Sequence, residues 1–594
     1  MFKGSLRYNR LTLAVAGLGG LLFGIDVGVI AGALPYLADT SGFGPAQLSF
    51  VVAAVLLGSV VAVLFAGALA DWIGRKYLMA LSGCMFVASL PIIALSHSYG
   101  TLVFGRLLQG TSAGFIGVVV PLYLAECLRA KERGKGTGVF QWMLTFGFVV
   151  AGLITLYFSY RLGIVSRSGD ATAIFAFKDH AWRNTFWVSL PAGVAFVIGS
   201  LMVAESPRWL YAKGRRDAAL AALQRSRTGD EAALELREMD EAAAAERVHT
   251  AAGTDVRESL LHRKYVIPFV LACVILTCNQ LTGINSIIPY NTTILLQAGL
   301  SDVQAHAGSL VFSLVNFLVT MLAVFLVDRR GRKFLLSIGS AGIILSLIGT
   351  GALFAHSQAR RVDVRAAVQA MVSPAQSLHI RFDPQAARRL LERSDGGAVA
   401  GAQSLSIIYS YGDFSATTNV VRTDDAMLPV KITRSLPANR VAAFFSNPFG
   451  NLQAAQTAPL RIDSAYVTPV PSQRNGWLVA FTLYLFMASF AIGPGVCVWL
   501  ALSELMPTRI RSNGMSIALF LNTGTSTAIA AVFLPMVGKY GYATMFFAFA
   551  AFTVIYLITA LFFLPETKGK TLEEIEVLFE IRNPQDQSAK ISST

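Results

Sequence analysis

Long blocks almost free of charge alternate along this chain with short basic connectors. Apolar runs stand at roughly 11–37, 47–70, 77–96, 101–125, 137–160, 184–203, 266–291, 307–327, 334–355, 477–503, 514–537 and 542–564. A helix rising about 1.5 Å per residue needs about 20 residues to cross about 30 Å of hydrocarbon, so each run predicts one membrane span. Twelve spans follow, and an even count puts both termini on one side. The connectors Gly74-Arg75-Lys76, Arg129 to Lys135 and Arg329-Arg330-Gly331-Arg332-Lys333 fall on that side. Lysine and arginine are retained on the cytoplasmic face, which predicts cytoplasmic termini. The basic stretch Met1 to Arg10 runs into the first apolar block with no small-residue cleavage pattern and predicts a retained first span.

Two segments depart from this pattern. Residues 205–264 are charged and alanine-rich, with stretches such as Asp230 to Arg237 that favour amphipathic helix, and predict a cytoplasmic helical linker. Residues 356–476 are too polar to span and too long for a plain loop. Asp383-Pro384 has the form of a helix start, with Asp as cap and Pro at the first helical position. Leu405 to Tyr411 and Leu428 to Ile432 alternate as strands do. The expectation is a small α+β domain outside the membrane, on the periplasmic side.

Internal repetition predicts the architecture. The motif Gly67-x3-Asp71-Trp72-Ile73-Gly74-Arg75-Lys76 after span 2 recurs as Asp328 to Lys333 after span 8, an offset of 257. Glu126 to Arg133 after span 4 recurs as Glu504 to Arg511 after span 10, an offset of 378. The two offsets differ by 121 residues, the length of the polar segment. The halves therefore read as duplicates, the second having gained an insert between spans 9 and 10. Parallel six-span repeats around a site at the midplane are a transporter architecture. The predicted units are a six-helix bundle at 1–204, the linker at 205–264, helices 7–9 at 265–355, the insert at 356–476, helices 10–12 at 477–565 and a cytoplasmic tail at 566–594.

Composition narrows the function classes. Of 594 residues, 54% are hydrophobic and 14% charged, against about 25% charged in soluble chains, which excludes an ordinary soluble enzyme. The excess of 49 Lys and Arg over 35 Asp and Glu sits largely in the connectors, and so reports topology rather than a nucleic-acid partner. Four of the five cysteines lie in apolar runs and Cys127 at a span end, a placement unlike a disulfide framework or a zinc site. The insert has two histidines, His356 at its first position and His379, no cysteine and no nucleophile or metal motif, so a ligand or partner contact is expected of it rather than catalysis. No cofactor is expected.

Within the twelve runs stand one acid, Asp26, and one base, Arg106. A charge at the bilayer centre costs about 2.5–3.5 kcal/mol even on the lenient insertion scale, so both should face the protein interior or a wet cavity. Gly20, Gly24, Gly28 and Gly32 form a ridge for close helix contact, and Asp26 points away from it. The pair reads as a proton site in which Arg106 neutralises Asp26 until a proton does; the alternative reading is a permanent ion pair. Polar residues elsewhere form stripes: Gln141, Thr145, Gly152 and Thr155 on span 5; Ser309, Ser313, Asn316 and Thr320 on span 8. Span 7 carries Asn279, Gln280, Gly283, Asn285, Pro289 and Tyr290; span 10 carries Gly493-Pro494-Gly495 and Trp499; span 11 carries Asn522. Amides donate to and accept from hydroxyls, and an indole covers the apolar face of a sugar ring, so these residues suit a neutral polyol.

These residues resemble the sugar porter family of the major facilitator superfamily. The resemblance rests on Phe23-Gly24-Ile25-Asp26-x-Gly28-Val29, Gly105-Arg106, Pro121-x-Tyr123-x-Ala125-Glu126-x6-Arg133-Gly134 and Glu205-Ser206-Pro207-Arg208-Trp209-Leu210. It rests further on Gln280-x2-Gly283-x-Asn285, Gly493-Pro494-x4-Trp499-x4-Glu504-x2-Pro507-x3-Arg511 and Pro565-Glu566-Thr567-Lys568-Gly569. It implies an all-α membrane protein with two six-helix bundles and sugar contacts at Gln141, Gln280, Asn285, Asn316, Trp499 and Asn522. It also implies a cytoplasmic cluster of Asp71, Arg75, Glu126, Arg133, Glu205, Arg208, Asp328, Arg332, Glu504, Arg511 and Glu566 that holds the outward-facing state.

Facilitators of that family typically carry Asn at the position of Asp26, whereas a bacterial proton symporter of the family that this chain resembles carries Asp there and an Arg matching Arg106. Three departures bear on the substrate: Asn279 replaces the first Gln of the usual pair, Pro289 stands where an aromatic is common, and Phe148 where Gln often does. The expected function is proton-coupled import of a hexose or pentose across a bacterial inner membrane by alternating access. The rivals are a passive facilitator of the same fold and a non-transporting sugar sensor, which would need a longer signalling extension than the 29 residues after Pro565.

Overall fold

The computed structural model describes residues 2–128, 130–251, 263–394, 401–424, 429–434, 436, 450–506, 511–566 and 579. The first half holds α1 (Phe2–Ser41), α2 (Pro45–Ile73), α3 (Arg75–Ala94), α4 (Tyr99–Cys127), α5 (Ala130–Val165), α6 (Ala171–Trp187) and α7 (Leu190–Met202). Three short helices follow: α8 (Pro207–Ala212), α9 (Arg216–Ser226) and α10 (Gly229–Ala251). They bury Leu210, Leu223 and Leu236 against one another, the helical linker expected; residues 252–262 of that stretch lie outside the described residues. The second half begins with α11 (Arg263–Leu281), α12 (Ile284–Gln297), α13 (Asp302–Arg330) and α14 (Arg332–Gln358).

Glycine sets the closest packing. A Cβ on Gly24 would lie 1.9 Å from the Leu144 carbonyl oxygen, and one on Gly20 2.3 Å from that of Phe140. The four-residue ridge on α1 therefore lets α5 approach to backbone contact, as small residues do between membrane helices.

Between α14 and the next long helix the chain forms β1 (Val362–Asp363), α15 (Arg365–Gln369), β2 (Leu378–Ile380), α16 (Pro384–Glu392), β3 (Gln403–Tyr411), β4 (Phe414–Thr417), β5 (Val421–Arg422), β6 (Val430–Ile432), α17 (Leu452–Thr457) and β7 (Leu460–Pro469). The five-stranded sheet is antiparallel in order β1-β7-β3-β4, with β5 also on β3; β2 pairs with β6. Alternate residues of β3 and β7, Leu405, Ile407, Ile462 and Val467 among them, share a buried cluster with Leu390 and Leu391 of α16. As its sequence predicts, α16 opens with the Asp383 carboxylate accepting from the Ala386 N–H at 2.7 Å and Pro384 at the first position. The β5 region touches both halves of the bundle: the Asn419 amide donates to the Phe43 carbonyl at 3.0 Å, and Arg422 to the Leu296 carbonyl at 3.0 Å.

The chain ends in α18 (Gln473–Ile492), α19 (Pro494–Leu505) and α20 (Arg511–Ile558). Among the described residues eleven stretches are long and apolar enough to cross a bilayer, not the twelve expected. The difference lies in α20, where the sequence predicts two spans: its rod carries both 514–537 and 542–564, joined through Gly538-Lys539-Tyr540-Gly541. That rod is interrupted at Gly541, the one residue in it with non-helical backbone, at φ +86°.

Candidate functional site

Asp26 on α1 and Arg106 on α4 are each about 1% exposed. The glycine ridge turns α1 so that Asp26 faces α4 and not lipid. One guanidinium nitrogen lies 3.4 Å from Asp26 Oδ1; the same nitrogen donates to Gln109 Oε1 at 2.7 Å. The Phe186 ring lies 5.6 Å from the guanidinium carbon. Asp26 Oδ2 and Arg106 Nε are buried without a hydrogen-bond partner among the described residues. An ion pair this buried and this incompletely bonded is a poor source of stability.

Between the halves lies a narrow, partly open cavity. Gly28 of α1 and Phe148, Gly152 and Thr155 of α5 line one side; Ser309, Ser313 and Asn316 of α13 line the other. Gly152 and Thr155 of the span 5 stripe thus face Ser309, Ser313 and Asn316 of the span 8 stripe across one void, which Gln141, Thr145 and Thr320 do not line. The Asn316 side-chain oxygen also accepts from the Thr320 hydroxyl at 3.3 Å.

The other amides gather beside it. Gly283, at φ +84°, breaks the seventh span into α11 and α12, so that Gln280 and Asn285 come from two helix ends. The Gln280 amide donates to Asn522 Oδ1 at 2.9 Å, and the Asn285 amide to Gln280 Oε1 and Ser526 Oγ, both at 2.7 Å. This network is closed on itself and does not line the cavity as Asn316 does. Asn279 is buried with its side-chain oxygen unpartnered among the described residues. Gln141 is half-buried on α5. Tyr290 is stacked on Phe533 with ring centroids 4.7 Å apart and donates to Ser49 Oγ at 3.3 Å, so its hydroxyl joins the two halves rather than facing the cavity. The Trp499 side chain lies outside the described residues.

At the end of the bundle bearing the basic connectors, the two halves repeat one device. Glu205 accepts from the backbone N–H of Arg75 at 3.0 Å and of Lys76 at 3.1 Å; Glu566 accepts from those of Arg332 at 3.1 Å and Lys333 at 3.2 Å. Arg75 also pairs with Asp71 at 2.8 Å and Glu126 at 2.9 Å. Burial pushes the Glu205 carboxyl above the ordinary carboxylate range, against the opposing pull of those N–H groups. Arg208 is exposed. The side chains of Arg133, Asp328, Glu504 and Arg511 lie outside the described residues.

The described bonds of this cluster stay within one half. Polar bonds between the halves, among the described residues, lie at the opposite end: Tyr36 to Asp302 at 2.8 Å, Ser159 to Asp302, and the Leu534 N–H to Ser49 Oγ at 3.1 Å. The structure is thus closed at the sheet-bearing end, the state opposite to the outward-facing one that the resemblance assigns the basic cluster to hold. Sequence reasoning missed Gln109, whose three-residue spacing from Arg106 was the available signal, and Asp302, which sits just ahead of an apolar run.

The Sugar (and other) transporter family model matches residues 12–372 and 460–579. The glucose transporter GlcP of Staphylococcus epidermidis is 26% identical over 97% of this chain and 98% of its own length. Inositol transporter 4 of Arabidopsis thaliana is 28% identical over 96% of this chain and 92% of its own. A partially occluded inward open structure of the xylose transporter XylE from E. coli superposes with a TM-score of 0.61 at 18% identity, covering 94% of this chain and 100% of that one.

Proposed function

Because this chain belongs to the sugar transporter family, we propose that it imports a monosaccharide with protons by alternating access. The observation that carries the coupling is the buried Asp26–Arg106 pair, in which one carboxylate oxygen has no hydrogen-bond partner among the described residues. From outside, a proton enters on Asp26, the pair loosens, sugar binds in the void lined by Asn316, and the halves rock so that the other end opens. Gln280, Asn285 and Asn522 are a preformed set of amides beside that void; a sugar hydroxyl exchanges for one of their mutual bonds at small net cost. Asn279, Gln141 and Trp499 complete the site. Tyr290 acts in closing the halves.

In this reading α20 is two spans that turn at Gly541, making twelve, and the sheet segment is a periplasmic domain inserted between spans nine and ten. The interruption of the family match between residues 372 and 460 supports that insert. Both termini lie in the cytoplasm of a bacterial inner membrane. Glu205 and Glu566, with the arginines they touch, brace each half at the cytoplasmic end.

Uptake into proteoliposomes tests the proposal. Sugar should accumulate under an imposed inward proton gradient, and Asp26→Asn should keep counterflow exchange while losing accumulation. A substituted protein that still concentrates sugar would overturn the coupling; a parent that equilibrates without concentrating would be a facilitator.

A further inference from the structure

His306, on the first turns of α13, is fully buried. Its Nδ1 lies 2.9 Å from the Asp302 backbone carbonyl one turn earlier, and its Nε2 lies 3.3 Å from the Gly32 carbonyl on α1, in the other half of the bundle. Both partners are carbonyl oxygens, which only accept. A neutral imidazole carries one N–H and can satisfy one of them; the imidazolium carries two and satisfies both. The Asp302 carboxylate adds an acceptor 3.6 Å from Nδ1.

The surroundings agree with a positive charge there. The Tyr36 ring of α1 stacks on the imidazole at 5.4 Å, and its hydroxyl donates to Asp302 Oδ2 at 2.8 Å. Ser159 of α5 donates to the same oxygen. Asp39, further along α1, is paired with Lys178 of α6 at 2.7 Å. The Tyr484 hydroxyl of α18 comes close to the same turn of α13, near Gly308. Asp302 is thus the carboxylate that answers His306.

We propose that His306 is a second proton-binding site, separate from Asp26, which takes its proton when the sheet-bearing end is closed and thereby latches the two halves together. When the halves part, Nε2 loses the Gly32 carbonyl, the Asp302 carbonyl alone remains, and the neutral ring suffices. The closed state binds one proton more than the open state, so acidity outside favours closure and rising pH favours opening. This latch rests on the alternating-access reading but not on the proton coupling at Asp26.

The test is made on intact protein in sealed right-side-out vesicles. The five native cysteines are replaced by serine, Ser309→Cys is placed in the cavity wall, and a membrane-impermeant maleimide is added outside. Divided at each pH by the rate for the same cysteine in unfolded protein, which removes the thiol's own ionisation, labelling should quicken as outside pH rises from about 5 to 8, the range in which imidazoles change charge. One linked proton allows at most about tenfold per pH unit. The dependence should persist in Asp26→Asn and vanish in His306→Gln. Asp302→Asn, which removes the carboxylate that favours the imidazolium, should move the transition to lower pH. Labelling independent of pH in the parent, its survival in His306→Gln, or an unmoved transition in Asp302→Asn would each overturn the latch. Because no sugar is present, failure of sugar accumulation with normal pH-dependent labelling would count against the transport reading alone.

Discussion

Arg106 lies closer to the neutral amide of Gln109 than to the carboxylate of Asp26, 2.7 Å against 3.4 Å. Charge-assisted contacts of this type ordinarily run to about 2.7–2.9 Å. The guanidinium is therefore anchored on its own helix and holds Asp26 loosely. Protonating Asp26 releases one long contact without setting the arginine free.

This asymmetry predicts unequal losses of stability. Arg106→Ala leaves a buried carboxylate with no cation and should cost about 3–5 kcal/mol. Asp26→Asn keeps the shape, and Gln109 still holds the guanidinium, so it should cost clearly less. Thermal unfolding in detergent measures both; equal losses would contradict the anchoring role of Gln109.

The amide network predicts coupled losses of affinity. Gln280→Ala and Asn522→Ala each remove one end of a 2.9 Å bond. Each should weaken sugar binding about tenfold, near the 1.4 kcal/mol of one good hydrogen bond. The double variant should lose less than the sum, because each single change already frees the other amide. Calorimetric titration gives the comparison, and strict additivity would show that the two act apart.

Close packing predicts the effect of one methyl group. Gly24→Ala would set a Cβ 1.9 Å from the Leu144 carbonyl, a backbone atom that cannot swing aside. The helices must separate, at about 1–3 kcal/mol or more. Gly100→Ala, where nothing lies within 4 Å, is the control and should change the melting temperature little.

Glu205 predicts a pH dependence with a definite sign. Burial raises its carboxyl in the folded protein, so the folded state binds the proton more tightly than the unfolded chain does. Stability from this group is gained as pH falls through the raised value and lost as pH rises through it. Glu205→Gln cannot titrate. The melting temperature of the parent relative to Glu205→Gln should therefore decline as pH rises from the ordinary carboxylate value to the raised one, and then level off. A difference that grows with pH would mean that the N–H groups of Arg75 and Lys76 outweigh burial.

Local pattern made much of this legible. The glycine ridge, the outward turn of Asp26 from it, the cap of α16 and the partial meeting of the span 5 and span 8 stripes all follow from residue spacing along single helices. β3 lies where alternation predicts it, and β6 covers Val430–Ile432 of the second predicted strand, whose Leu428 lies outside the described residues. What escaped depends on distant partners. Tyr36 and His306 stack although 270 positions separate them, and nothing in Asp302-x3-His306 alone distinguishes a gate from a helix start. Tyr290 follows the amides in sequence, but its bond to Ser49 and its stacking on Phe533 come from other helices.

The two bonds from the β5 region, Asn419 to Phe43 and Arg422 to Leu296, make the sheet a brace nailed to both leaves of a door. When the leaves swing apart, at least one nail must pull out. A bond from a charged group contributes about 1.5–3 kcal/mol, so the Arg422 attachment alone would make the door stand open roughly ten to a hundred times more rarely. A domain set outside the bundle would thereby set the tempo of the machine beneath it.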